Sequence, residues 1–102
     1  MNEVPPDRRP EALKDDSLPR VLLGASIALV WPPGHLVAQQ GQPWLEHMCV
    51  TGDGTRILDT VPLNPGHLVA GQPPDPVSVN PSILCQLCGL HGFVRHSEWV
   101  PA

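Results

Sequence analysis

The sequence contains few large aromatic side chains. It has one Phe, three Trp and no Tyr among 102 residues, so little bulky apolar material is available to fill a core. A chain of this length forms one small domain, near the size at which a bound metal or a partner often supplements the core. We therefore expect a single domain that needs a further stabilising device.

Positive charge and long apolar runs are also scarce. Residues 21–102 contain only Arg56 and Arg95 against five acidic residues, and the net charge of the chain is −4. A surface that neutralises phosphates needs clustered Lys and Arg, so a nucleic-acid partner is not expected. The longest apolar run, residues 21–31, is too short to cross a bilayer, and an acidic, proline-rich segment precedes it. These features predict no membrane segment and no secretory signal, and they favour a reducing cytoplasm.

Proline and glycine, in contrast, are frequent. Fourteen Pro and nine Gly interrupt the chain so often that no helix longer than two or three turns fits after Trp31. The pattern predicts β-strands, with residues 21–31 as one buried strand. Pro81 should limit its strand to a sheet edge or a strand end. The other predicted strands span residues 35–39, 44–50, 55–61, 67–70, 77–79, 92–95 and 98–100.

The first twenty residues differ in character from the rest. Nine of them are charged and four are Pro, so this segment cannot bury much apolar surface by itself. We predict an N-terminal arm over residues 1–20 that is flexible or bound to a partner, with a helical turn near residues 11–15. Residues 21–102 then form the single domain.

A Cys-x-x-Cys pair near the end of the chain carries the strongest chemical signal. Gly89 follows Cys85 and Cys88 directly and allows the turn that points both sulfurs at one tetrahedral centre. Zinc is the expected metal, because thiolate and imidazole ligands suit it. A disulfide between two of the three cysteines, or three reduced structural thiols, are the alternatives. A reducing compartment favours the metal.

Two further ligands are needed to complete such a site. In the predicted strand 44–50, alternation puts His47 and Cys49 on one face, next to each other. His91 follows the Cys pair at close range, and His96 lies a little further on. The predicted ligand set contains Cys85, Cys88, Cys49, His91 and His47. Which of His47, His91 or His96 completes the coordination stays open at this stage.

These observations define the expected fold class. We predict an all-β chain, a small antiparallel β-sandwich or partly open barrel, with a zinc-knuckle corner and an extended N-terminal arm. The hexapeptide Pro-Gly-His-Leu-Val-Ala occurs twice, at residues 33–38 and 65–70. It is either a duplicated loop that presents His35 and His67 for binding, or a repeated turn and strand. The second interpretation is favoured, because solenoid folds need at least three repeats.

The last quarter of the chain resembles a known family. The segment NPSILCQLCGLHGFVR, residues 80–95, with Trp99 and Pro101 after it, is similar to the C-terminus of small bacteriophage and prophage proteins of uncharacterised role. In these, a Pro-Ser-Ile strand precedes C-x-x-C-G-x-H-G-[FY]-[IV]-R, a short turn and W-x-P. The resemblance implies a phage setting and a zinc-like site with Cys85 and Cys88, and His91 as a candidate ligand. Ser97 stands where Gly would be usual in the turn.

An enzyme is not expected. A zinc deaminase needs a His-x-Glu motif and a Pro directly before its Cys-x-x-Cys pair, and Pro81 is not adjacent to Cys85. Five candidate ligands favour a closed structural site over an open catalytic one.

The expected function is a non-enzymatic phage structural or assembly protein. It would be a zinc-stabilised β module that binds neighbouring protein subunits, made in the host cytoplasm and carried in the virion. The alternative is a soluble intracellular phage adaptor or anti-defence inhibitor of a host protein.

Overall fold

A computed structural model describes residues 6–33, 43–63, 66–71 and 73–102 of the chain. Apart from a short 3-10 helix at Glu11–Leu13, the regular elements in these ranges are strands. No helix among them is long and apolar enough to cross a membrane. The predicted strand 35–39 and the first copy of the hexapeptide repeat lie outside these residues, apart from Pro33.

The strands are β1 (Arg20–Gly24), β2 (Ile27–Val30), β3 (Trp44–Val50), β4 (Arg56–Pro62), β5 (Leu68–Ala70), β6 (Ser78–Leu84), β7 (His91–Arg95) and β8 (Glu98–Pro101).

The eight strands make two antiparallel sheets with the strands in chain order. The first sheet contains β1 to β4, and the second contains β5 to β8. Buried apolar side chains from both sheets form one core between them, and β1 lies beside β8. The all-β prediction, a sandwich or partly open barrel, is therefore confirmed. The core residues are Leu23, Ile27, Leu29, Trp31, Leu45, Leu63, Val77, Val79, Ile83 and Val94.

The apolar run at residues 21–31 forms a hairpin, so the prediction of one buried strand was wrong. Gly24 pairs with Ile27, which leaves Ala25 and Ser26 as a two-residue turn between β1 and β2. Ser26 has a φ of 61°, a left-handed conformation that helps to reverse the chain at this turn. The small residues from 24 to 26 mark this turn within the predicted strand.

Strands β3 and β4 form a hairpin that carries His47 and Cys49, and both strands lie close to the predicted ones. β3 spans the predicted residues 44–50, and β4 begins and ends one residue after the predicted strand. The turn between them closes through backbone hydrogen bonds. The N–H of Thr51 donates to the carbonyl of Thr55 at 2.9 Å, and the N–H of Gly54 donates to the carbonyl of Thr51 at 2.9 Å.

Strand β6 corrects the expectation for Pro81. This strand continues to Leu84 and pairs with β5 on one side and β7 on the other, so it is central to its sheet. Pairing with β5 reaches Asn80, and pairing with β7 shifts register between Val79 and Ile83. Pro81 lies in this interruption, where the ladder on neither side needs its missing N–H. A proline can therefore stand in a central strand here.

The second sheet ends in a hairpin of β7 and β8, close to the strands predicted at residues 92–95 and 98–100. His96 and Ser97 form its two-residue turn, with φ values of 48° and 60°. Ser97 also binds the start of β6. Its N–H donates to the carbonyl of Val77 at 2.7 Å, and its Oγ accepts the N–H of Val77 at 3.0 Å. A glycine at this position could donate the same N–H to Val77, but it has no hydroxyl to accept the N–H of Val77.

Residues 6–20, predicted as part of a flexible or partner-bound arm, lie against the first sheet of their own chain. The N–H of Arg8 donates to the carbonyl of Leu58 at 2.8 Å, and the N–H of Leu58 donates to the carbonyl of Pro6 at 2.9 Å. The 3-10 helix falls within the predicted helical turn and buries Leu13, which is 1% exposed. A partner chain is therefore not needed to cover this side chain.

Charged side chains fix the same segment to β3. Glu46 accepts hydrogen bonds from Arg9 at 2.7 Å and from Arg20 at 3.2 Å. Glu46 pairs with Ala28, on the face of β2 opposite to the core residue Leu29. Ala28 is nonetheless buried, so residues 6–20 cover the outer face of the first sheet.

Candidate metal centre

One pair of candidate ligands comes from β3. Residues alternate between buried and half-exposed along this strand, and Leu45, His47 and Cys49 occupy the buried face. Leu45 belongs to the apolar core, while His47 and Cys49 continue the same row toward the end of the strand. The buried face of β3 is therefore apolar at Leu45 and carries potential metal ligands at His47 and Cys49.

The second pair comes from the loop between β6 and β7. The N–H of Gly89 donates to the carbonyl of Cys85 at 2.8 Å, and the N–H of Cys85 donates to the carbonyl of Leu90 at 2.8 Å. Gly89 has a φ of 79°, as the Cys-x-x-Cys-Gly pattern predicted. These bonds close the loop around the two cysteines. Because β3 belongs to the first sheet and this loop to the second, the four side chains link the two sheets.

The four side chains converge on one point. Nε2 of His47 and the Sγ atoms of Cys49, Cys85 and Cys88 all lie within 4.8 Å of one another. The Sγ atoms of Cys49 and Cys85 are 3.6 Å apart, and Nε2 of His47 is 3.5 Å from Sγ of Cys88. Tetrahedral zinc with three sulfurs and one nitrogen requires ligand separations of about 3.5 to 3.8 Å. The contact between Cys49 Sγ and His47 Nε2, at 3.0 Å, is shorter than this range.

All three cysteines are free thiols. A disulfide needs a sulfur separation of about 2.05 Å. The alternative of a disulfide is therefore wrong, and the cluster has the composition of a possible metal site.

Burial shapes the protonation of the cluster. Burial raises the pKa of the Cys49 thiol well above its ordinary value, and hydrogen bonds with Cys88 and Cys85 add to the rise. Burial also opposes ionisation of Cys88, but the backbone N–H groups of Leu90 and Val50 and the neighbouring thiols donate to its sulfur. The pKa of Cys88 is lowered as a result. Only if the cysteines bound as thiolates would several negative charges this close together need a cation to balance them.

The imidazole of His47 is held in its neutral form, which is the form that binds metals. Burial lowers its pKa, and the negative charge of Asp59 opposes this only partly. Its Nδ1 atom is buried and has no hydrogen-bond partner within the described ranges.

The structure separates the other histidines from the cluster. His91 was a predicted ligand, but it lies on the exposed face of β7, and its Nε2 contacts Oγ of Ser82 at 2.9 Å. Gly92 and Val94 occupy the inner face of this strand, so alternation turns His91 outward. His96 is in the exposed terminal turn, and Nε2 of His67 contacts the carbonyl of Ser82 at 3.0 Å. Of the five predicted ligands, four come together and His91 does not.

Fold and site together define the chain as an all-β protein with a buried cluster of one histidine and three cysteines. Comparisons with protein-family models, with curated proteins and with solved structures find no match to the chain.

Proposed function

We propose that this protein is a non-enzymatic β module in which His47, Cys49, Cys85 and Cys88 hold a structural zinc ion. The observation that supports the proposal is the convergence of these four ligand atoms within 4.8 Å, from two different sheets. Zinc suits this donor set, because thiolate and imidazole ligands are those that it prefers in proteins.

The count of protein ligands favours a structural role over a catalytic one. A catalytic zinc keeps one position for water or substrate, whereas structural sites close with four protein side chains. The candidate site supplies four, and His47, Cys49 and Cys85 are buried. When bound, the ion would neutralise the thiolates and join the sheets. Its removal would then act on folding and not on a reaction.

Metal analysis tests the proposal directly. We expect one zinc ion per purified chain, and its loss in Cys85→Ser. Ser82→Ala, in the adjoining strand, serves as the control and should keep the metal. A chain that purifies without metal, and whose unfolding is the same before and after treatment with a chelator, would contradict the proposal.

The cellular role that we propose is binding to neighbouring protein subunits, as a structural or assembly component of a phage particle. The resemblance of residues 80–101 to phage proteins supports the setting. The outer face of the second sheet supports the binding, because Leu68, Leu84 and Val100 are 80%, 50% and 40% exposed there. A contiguous exposed apolar patch is typical of an interaction surface.

Mass spectrometry of purified particles tests this role. The protein should be present at a fixed number of copies per particle, and replacing Leu68 and Leu84 with Ser should reduce its incorporation without unfolding it. Absence from particles, together with stable capture of one host protein, would instead support the adaptor or inhibitor.

A further inference from the structure

The two ring nitrogens of His47 have different surroundings. Nε2 lies 3.0 Å from Sγ of Cys49 and 3.5 Å from Sγ of Cys88, so it faces the cluster. Nδ1 is buried and has no hydrogen-bond partner within the described ranges. When a metal binds one nitrogen of a histidine, the proton resides on the other, and that N–H ordinarily donates to a carboxylate, a carbonyl or water. The site is therefore missing an acceptor for Nδ1–H.

A carboxylate stands opposite this histidine. Asp59 on β4 is the direct cross-strand partner of His47 in the register of the hairpin. Directly paired residues share a face, with Cβ atoms about 4.5 to 5.5 Å apart. Asp59 thus lies on the inner face of the first sheet, in the same row as Val61, which packs against the core. Apolar packing does not explain why an acidic residue stands on this face of β4.

The hydrogen bonding of Asp59 leaves capacity for a second contact. One carboxylate oxygen, Oδ1, accepts the N–H of Thr60 at 2.8 Å, and Oδ2 accepts no hydrogen bond within the described ranges. The negative charge of Asp59 also acts on His47. The residues that carry the unpaired nitrogen and the unpaired oxygen are therefore cross-strand partners on one face of the sheet.

We propose that Asp59 is a positioning residue of the metal site, whose free carboxylate oxygen accepts Nδ1–H of His47 when Nε2 binds the ion. This inference depends on the proposed zinc site. The contact would fix the tautomer and the ring orientation of His47 and increase the basicity of Nε2. Oδ1 can keep the Thr60 N–H while Oδ2 accepts Nδ1–H, so the new contact would not replace an existing hydrogen bond of Asp59.

The test compares zinc affinities of the full chain by competition with a chromophoric chelator. Asp59→Asn keeps an oxygen for the N–H of Thr60 but removes the charge, and Asp59→Val removes both. Asp75→Asn is the control, since Asp75 is exposed and lies away from β4. We expect zinc to bind about 10 to 100 times more weakly to both Asp59 variants and unchanged to the control. If Asp59→Val does not fold, the zinc affinity of Asp59→Asn alone tests the proposal.

Nitrogen-edited NMR of the zinc-bound protein adds a readout that a purely structural role would not change. The Nδ1–H proton of His47 should exchange slowly with water in the natural chain and much faster in Asp59→Asn. Affinities within twofold of the natural chain and an unchanged Nδ1–H signal would overturn the positioning role alone. A natural chain that binds no zinc would overturn the proposed zinc site and this role with it.

Discussion

The two ends of the β6–β7 pair are held together in different ways. At the turn end, defined by Val77 and Ser97, two hydrogen bonds of 2.7 and 3.0 Å join the hairpin to the start of β6. At the cysteine end, defined by the loop from Cys85 to Leu90, two thiols meet the imidazole and the thiol of β3. The turn end is complete with the polypeptide alone, whereas the cysteine end gathers four side chains that could hold a metal ion. Stability at the two ends should therefore respond differently to metal removal.

The largest expected effect follows from breaking the cysteine end. Structural zinc contributes about 10 to 16 kcal/mol to the folding of zinc-finger peptides. We expect Cys85→Ser to lower the free energy of unfolding by an amount on the order of 5 kcal/mol or more, as metal removal should also do. Denaturant unfolding with and without a chelator measures both. Equal stability in the two conditions would show that the cysteine end does not depend on an ion.

The next effect separates the apolar core from the metal site on a single strand. Leu45 is fully buried, two residues before His47 and on the same face of β3. Leu45→Ala should destabilise the protein by about 2 to 5 kcal/mol, because it leaves a cavity in the core. The loss of stability should be measured with zinc bound. The Leu45→Ala variant should still contain one zinc ion per chain. Loss of zinc from the folded variant would mean that the core and the site are not separable.

A smaller effect concerns the middle of the second sheet. A Cβ atom at Gly92 would lie 2.5 Å from Cζ2 of Trp99 and 2.7 Å from the backbone oxygen of Val100. Gly92→Ala should therefore cost about 1 to 3 kcal/mol through overpacking, measured by thermal unfolding. Gly52→Ala is a matched control, since a Cβ there meets nothing within 4 Å. If both variants melt at the natural temperature, the close packing of Trp99 on Gly92 is contradicted.

The smallest effect is expected at the turn end. Ser97→Ala leaves the buried N–H of Val77 without its acceptor, which should cost about 1 to 2 kcal/mol in denaturant unfolding. Ser97→Gly loses the same hydroxyl but fits a φ of 60° more easily than Ala, so it should cost less. Neither variant should change zinc content. A larger loss for Gly than for Ala would contradict this account of the turn.

Several parts of the structure followed from local patterns in the sequence. Strand alternation predicted that His47 and Cys49 share a face, and the bounds of the two strands of their hairpin were predicted to within one residue. The frequency of proline and glycine predicted an all-β fold. Each of these depends on neighbouring residues only, which is why the sequence alone was sufficient.

Two errors arose where a property depends on distant partners, whereas the turn that interrupts residues 21–31 had a local signal in its small residues. Pro81 is tolerated in a central strand because the ladders on both sides are interrupted there, and no local pattern shows this. His91 is close to the cysteines in sequence, but the strand that it begins turns it outward. The place of Asp59 opposite His47 was not predicted, because it depends on the register of the hairpin.

X-ray absorption at the zinc edge tests the central claim most directly. If one ion joins His47 of β3 to the cysteines of both sheets, the spectrum of the purified chain will fit three sulfurs at about 2.3 Å and one nitrogen at about 2.0 to 2.1 Å. A fit that needs only oxygen and nitrogen ligands, or fewer than three sulfurs, would contradict the proposed site.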